Sequence, residues 1–193
     1  MNNGQIIYNM GNTSFLTGGG SSPPPSIGES IYQLENASVV FLSAWRSTPR
    51  DVQRAARASQ EAMRHLDHIV NEIMRARDQM QSDGSYTGSP LESQLNITRA
   101  SSVSPVTRAE QDALYAQGPG NGMLPFAGSP LTMEKLLNKI KHRRTNSTNF
   151  RISPSGEHIF LVGVDNPSRQ PDSIVEFVVG GFCKHCHEVA AAI

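Results

Sequence analysis

The sequence predicts a mainly α-helical protein that ends in a small α+β module. Three observations carry this prediction: apolar residues recur with a heptad period over residues 48–80, Ser-, Gly- and Pro-rich stretches lie on both sides of that segment, and two apolar runs follow towards the C-terminal end. We therefore expect a long central amphipathic, coiled-coil-like helix flanked by disordered segments. The expected parts are a disordered tail (1–28), a helical self-association segment (29–81), a disordered Ser/Pro/Gly-rich linker (82–128) and a small α+β module (129–193).

Composition and charge narrow the classes of partner. The 17 basic and 17 acidic residues cancel, so the whole chain has no net attraction to nucleic acid or to an anionic membrane. No apolar run approaches the roughly 18 residues of a membrane-spanning helix, and the N-terminal residues lack the basic and apolar pattern of a signal peptide. We expect an intracellular protein, in the cytoplasm or nucleus, that does not bind membranes.

The N-terminal third predicts a tail followed by a helix. Residues 1–28 are rich in Gly, Asn, Ser and Pro and offer little apolar surface to offset the entropy lost on ordering. Ser26 and Glu29 then have the spacing of a capping box. The apolar residues that follow fall on one helical face: Ile31, Leu34, Phe41, Leu42 and Trp45. We predict a helix to Arg46, with a short strand over 37–42 as the alternative.

The heptad pattern begins after a helix-start signal, in which Thr48 can cap, Pro49 suits the first helical position and Asp51 favours the helix dipole. Positions alternately four and three residues apart then form what we call the heptad seam. It consists of Val52, Ala56, Ser59, Met63, Leu66, Val70, Ile73, Arg77 and Met80. A helix of this length would extend about 48 Å, more than the other apolar residues of the chain can cover.

The heptad seam therefore predicts a homo-oligomer, with packing against the preceding helix of the same chain as the alternative. The residues expected to form the self-association surface are Val52, Met63, Leu66, Val70, Ile73 and Met80.

The C-terminal part predicts short elements. Within 82–128, only Arg108–Ala116 has the pattern of a short helix. Ser129 can cap a helix that begins at Pro130. Two strands are expected over 158–164 and 173–179, and a last helix over 188–193.

The predicted helix at Pro130 ends in a basic cluster, whose members could contact the phosphates of a nucleic acid: Lys139, Lys141, Arg143 and Arg144. The alternative is a solvated helix end, where cations favour the dipole.

The motif Cys183-Lys-His-Cys186-His187 allows four interpretations. It matches the c-type haem attachment pattern. It can supply one pair of zinc ligands, with His158 and His142 completing the site. It can also be a redox pair, because residues 175–177 followed by the two cysteines resemble the active-site stretch of thioredoxin and disulfide-isomerase domains. That resemblance implies a reactive Cys183 with a lowered pKa. The fourth interpretation, two reduced and half-buried cysteines, is the one we favour.

These patterns together predict a non-enzymatic adaptor or accessory protein. The central helix would set the number of copies, and the C-terminal module would dock on a partner protein or nucleic acid, so that linked sites increase avidity. One alternative is a nucleic-acid-associated regulatory protein with a basic helix and a zinc site. The other is a thiol-disulfide redox protein. No glycine-rich phosphate loop, His-Glu-x-x-His motif or serine elbow occurs in the sequence.

Overall fold

A computed structural model describes residues 26–193. The predicted tail lies outside the described residues except for its last three, which begin the first helix. Six helices and five strands follow one another along the described chain. They are α1 (Ile27–Arg46), α2 (Val52–Asp83), α3 (Pro90–Leu95), β1 (Thr98–Val103), α4 (Arg108–Ala116), β2 (Ser129–Thr132), α5 (Met133–Lys141), β3 (Arg143–Ile152), β4 (His158–Asp165), β5 (Pro171–Val178) and α6 (Val179–Ala190).

The prediction of a mainly α-helical protein with one long coiled-coil-like helix is wrong, because the five strands form a single antiparallel sheet at the centre of an α+β fold. The strand order is β2-β1-β5-β4-β3. The segment 82–128, expected to be a disordered linker, contains α3, β1 and α4, and β1 pairs with both β2 and β5. Its sequence, TRASSV, buries only its last two residues. A strand that is mostly polar shows no apolar alternation, which is the signal that identifies strands in a sequence.

Capping residues mark the ends of the two long helices. Ser26 caps α1 by accepting the Glu29 amide hydrogen at 3.1 Å, which confirms the predicted start. Asp51, rather than Thr48, caps α2 by accepting the Arg54 amide hydrogen at 2.9 Å. Gly84 ends α2 with φ at 78°, a conformation that glycine adopts without strain. The helices α1 and α2 form a hairpin against one face of the sheet.

The second half of the heptad seam is buried in the core of its own chain. Leu66, Val70 and Ile73 are at most 3% exposed, and they pack with apolar residues of α5, α6 and the sheet. These three residues, expected to contact a second copy, therefore contact the same chain. Met80 is partly buried against the same core. A heptad pattern indicates that one helical face is apolar and does not reveal which surface covers it.

The opposite face of the sheet is covered by α4. Leu114 packs there with Val103, Leu161 and Ile174 in a second, smaller core. Thr107 and Glu110 form a complete capping box at the start of this helix. The helix predicted over Arg108–Ala116 is therefore confirmed, and it belongs to a sheet-covering layer rather than to a linker.

The C-terminal elements partly match their predictions. Strands β4 and β5 confirm the two predicted apolar strands. Helix α5 begins at Met133 instead of Pro130, because residues 129–132 pair with β1 as the edge strand β2. Helix α6 begins at Val179, nine residues before its predicted start, and contains both cysteines.

Candidate functional site

An apolar cavity lies between the α1–α2 hairpin and the β3 edge of the sheet, with a volume of about 480 Å³. This volume falls within the range of roughly 300–1,000 Å³ that is typical of ligand sites. Residues Leu34, Ser38 and Phe41 of α1 and residues Ser59, Ala62, Met63 and Leu66 of α2 form one wall. The other wall consists of Thr148, Asn149, Phe150, His158, Phe160, Phe177 and Val179, and the rim of Tyr115, Ala116, Gly118 and Pro119.

Stacked aromatic rings form one end of the cavity. The rings of Phe41 and His158 are parallel at 4.9 Å, and the ring of Phe150 meets that of Phe41 edge-on at 4.7 Å. Trp45 packs edge-on against Phe150 at 4.9 Å. Such offset and edge-on pairs add roughly 0.5–1.5 kcal/mol each beyond the area they bury. Aromatic packing between α1, β3 and β4 therefore stabilises this end of the cavity.

One polar pair lies in this apolar lining. A hydrogen bond of 2.9 Å joins Ser38 Oγ and His158 Nδ1, 120 positions apart in the sequence. Burial lowers the pKa of His158 to about 4, from its usual value near 6.5. The imidazole is therefore neutral at pH 7, and the cavity lining carries no charged side chain.

The Ser38–His158 pair is better suited to binding than to catalysis. A serine nucleophile needs a base that can hold its proton, and a carboxylate normally stabilises the resulting imidazolium. No Asp or Glu lines this cavity, and burial disfavours the protonated form of His158. The pair can instead offer a hydrogen bond to a polar group at the end of an apolar ligand.

The burial of His158 predicts how stability changes with pH. Between about pH 4 and 6.5 the unfolded chain binds a proton that the folded protein does not, so the free energy of unfolding falls as pH falls through this window. Each pH unit in this window changes the free energy of unfolding by about 1.4 kcal/mol. The loss of stability caused by His158 therefore approaches about 3 kcal/mol at pH 4. We expect His158→Phe to flatten the pH dependence measured by urea unfolding between pH 7 and 4. His187→Phe, at an exposed position of α6, is the control, and equal slopes in both variants would contradict this expectation.

The structure does not assemble the residues predicted to bind zinc. Cys183 and Cys186 are free thiols buried in α6, His158 bonds Ser38, and His142 is exposed at the end of α5. Between residues 26 and 193, no three His, Cys, Asp or Glu side chains are grouped to hold a metal ion. Burial also raises the pKa of the Cys183 thiol to about 12, opposite to the direction that a redox-active thiol requires.

Ion pairs within the chain neutralise most of the predicted nucleic-acid surface. Lys139 pairs with Asp172 and Arg144 with Asp112. Arg143 binds both carboxylate oxygens of Asp67, with one N–O distance of 2.7 Å. Of the four predicted residues, Lys141 alone forms no ion pair with the described part of the chain. The cluster therefore holds α2, α4 and α5 to the sheet, and its positive charge is largely balanced.

Comparison with known proteins gives no further guide to the cavity. No protein-family model, curated protein or solved structure matches this chain. None of the helices in residues 26–193 combines the length and apolar composition needed to cross a bilayer.

The sequence gives little indication of the cavity. His158 stands out in the sequence only as a histidine available for zinc, and its partner Ser38 lies on a helix 120 positions earlier. Tyr115 is 75% exposed on the rim, yet its segment resembles a linker. The available signal is in the heptad seam, where Ser59 interrupts the apolar pattern at the point where α2 lines the cavity.

Proposed function

We propose that the protein is a non-enzymatic adaptor that takes apolar side chains of a partner polypeptide into the cavity between α1, α2 and β3. The observation that carries this proposal is the cavity itself, which has an apolar lining, a volume of about 480 Å³ and one neutral polar pair. The two buried cysteines are free thiols, which supports an intracellular setting for this adaptor.

A polypeptide fits this site better than a small molecule because apolar surface continues beyond the cavity. Tyr115 on the rim is 75% exposed, and Val52, two helical turns from the lining residue Ser59, is 61% exposed. A small ligand inside the cavity would leave both side chains in water. Exposed aromatic residues beside a pocket are typical of sites that bind another protein.

Peptide selection on the full chain tests this proposal. A random peptide library is selected on the wild-type protein, and the enriched peptides are measured by fluorescence anisotropy. We expect Ser59→Phe, which places a ring at the lining, and Tyr115→Ala, which removes the rim, each to weaken binding by about tenfold or more. Tyr32→Ala is the matched control, since Tyr32 is exposed on α1 and does not line the cavity.

Both test positions are exposed, so the variants should keep the thermal midpoint of the wild type within a few degrees. Peptides that bind both variants as tightly as the wild type would show that the cavity is not their site. Failure to enrich any peptide would equally overturn the proposal.

A further inference from the structure

Positive charge is concentrated at the turn between α1 and α2. Arg46 ends α1, Arg50 lies in the turn, and Arg54 and Arg57 lie in the first two turns of α2. We call these four residues the arginine surface. All four are exposed and none forms an ion pair with a described residue, whereas eight other arginines do. The chain is neutral overall, so this charge is a local excess.

The neighbouring carboxylates leave this charge unbalanced. Asp51 is the single acidic residue between positions 46 and 60, and it caps α2. Glu61 is hydrogen-bonded to two side chains of its own helix, and Glu157 accepts a hydrogen bond from a neighbouring serine at 2.9 Å. Residues 1–25 contain no Asp or Glu. An anionic ligand would therefore meet guanidinium groups whose charge is not already neutralised.

An open pocket of about 520 Å³, which we call the turn pocket, is lined by residues 45–50 and Ile152. Two arginines are held in place around it. The Arg50 guanidinium lies over the Trp45 ring, 4.6 Å from its centroid, and Arg46 donates to the Gly156 carbonyl at 3.0 Å. Neither contact involves a carboxylate, so both guanidinium groups remain available to an anion.

The turn pocket suits a planar ligand that carries phosphate. Trp45 and Ile152 give it an apolar wall, and guanidinium planes stack on nucleobases. The turn itself is fixed, because the Asp51 amide donates to the Ser47 hydroxyl at 3.0 Å. None of the lining residues, all of which the structure describes, is acidic. A nucleobase can enter such a pocket from a single strand, whereas a base in a duplex is paired and stacked.

The arginines of α2 lie on a polar face of that helix. Around the helix axis, Arg57 and Arg54 lie on average roughly 130° and 170° from the first half of the heptad seam. The exposed residues beside them are Gln53 and Gln60. A protein interface usually has an apolar core, and this face offers none. Interfaces with nucleic acids are more polar and much more positively charged, which is the character of this face.

We propose that the arginine surface binds single-stranded nucleic acid. One unpaired base enters the turn pocket beside Arg46 and Arg50, and the phosphates of the adjoining nucleotides contact Arg54 and Arg57. The planar guanidinium group binds two phosphate oxygens at once. Most of these contacts are to the backbone, so the site distinguishes little between sequences. The site is separate from the apolar cavity and does not depend on the proposed function.

A fluorescently labelled thymidine strand about twelve nucleotides long tests this proposal with the full chain. Its affinity is measured by anisotropy and compared with three ligands: a DNA duplex of the same length, a strand of abasic deoxyribose phosphates, and a glutamate peptide. We expect each of the three to bind at least about fivefold more weakly, because none offers an unpaired base. The slope of log affinity against log salt for the thymidine strand should be about −3, since each of four phosphate contacts contributes about −0.7.

A triple substitution locates the site. The variant Arg50→Gln, Arg54→Gln, Arg57→Gln should bind the thymidine strand about tenfold or more weakly, and its salt slope should be about two units shallower. All three positions are exposed, so the thermal midpoint should stay within a few degrees of the wild type.

The matched control is Lys135→Gln, Lys141→Gln, Lys184→Gln, which removes the same charge from exposed positions elsewhere. Lys141 belongs to the basic cluster at the end of α5, so this variant also tests the site expected from the sequence. It should keep the affinity and the salt slope of the wild type. Equal weakening of both triple variants would show that net charge, rather than the arginine surface, determines binding.

The other outcomes are equally decisive. Equal affinity for the duplex or the abasic strand would mean that no base enters the turn pocket, and the single-strand proposal would be wrong. A glutamate peptide that binds as tightly would assign the surface to an acidic protein instead. Absence of binding would overturn the proposal outright. Ser59→Phe, which fills the cavity, should bind the strand like the wild type, so the cavity function and the nucleic-acid site can fail independently.

Discussion

Replacing Ile73 with aspartate is expected to unfold the isolated chain, although the residue belongs to a heptad pattern that suggests contact with another molecule. Ile73 is fully buried among apolar residues of α5, α6 and the sheet. A carboxylate there loses its hydration without gaining a partner, at a cost of at least about 4 kcal/mol. That loss is comparable with the whole stability of a domain of this size. Far-UV circular dichroism and urea unfolding measure it directly.

Val52 provides a control on the same helix. It lies three heptads before Ile73 at the equivalent seam position, and it is 61% exposed. We expect Val52→Asp to change the free energy of unfolding by no more than about 0.5 kcal/mol. The opposite pattern, a folded monomer with Ile73→Asp, would mean that the second half of the seam is covered by a second copy rather than by the chain itself.

The contrast between these two positions shows what a periodic pattern contains. The heptad period correctly indicates that one face of α2 is mostly apolar, with Ser59 and Arg77 as the exceptions. The period alone does not reveal which part of that face is buried. The sheet and α6 cover its second half and leave the first half accessible, and the residues that do so lie more than 60 positions away in the sequence. Capping signals are local, and they located the start of α1 correctly at Ser26.

Strands differ in how clearly the sequence shows them. The apolar strands β4 and β5 are evident because they are central and buried on both faces. Strands β1 and β3 have the sequences TRASSV and RRTNSTNFRI, which resemble a linker and the end of a basic helix. Their pairing is determined by neighbours in space, so propensity alone cannot place them. Because β3 forms part of the cavity lining, the cavity could not be predicted from the sequence either.

Cys183 should react with iodoacetamide about a thousandfold more slowly than an exposed thiol at pH 7, and the reaction of Cys186 should be slowed as well. Burial, together with the negative charge of Glu35, raises the pKa of Cys183 to about 12. Burial raises the pKa of Cys186 well above its usual value. At pH 7 the reactive thiolate of Cys183 is then about three orders of magnitude scarcer than in a free cysteine.

The position of Cys183 within α6 explains this difference from thioredoxin-like motifs. There the first cysteine lies at a helix N-terminus, where free amide groups stabilise the thiolate. Here Cys183 is the fifth residue of α6, inside the helix and fully buried. A high thiol pKa also opposes zinc binding, because a metal must displace the proton.

Mass spectrometry of the alkylated protein distinguishes a redox role for Cys183 from a purely structural role. The exposed thiol introduced by Ser43→Cys, on the outer side of α1, is an internal reference for the rate at pH 7. We expect this thiol to be modified fully while Cys183 and Cys186 stay unmodified, and all three to react in denaturing urea. If Cys183 reacts in the folded protein as fast as the reference, its thiol is accessible and ionised, and a redox role returns. If it stays protected, the two cysteines serve as small apolar side chains that pack α6 against the sheet.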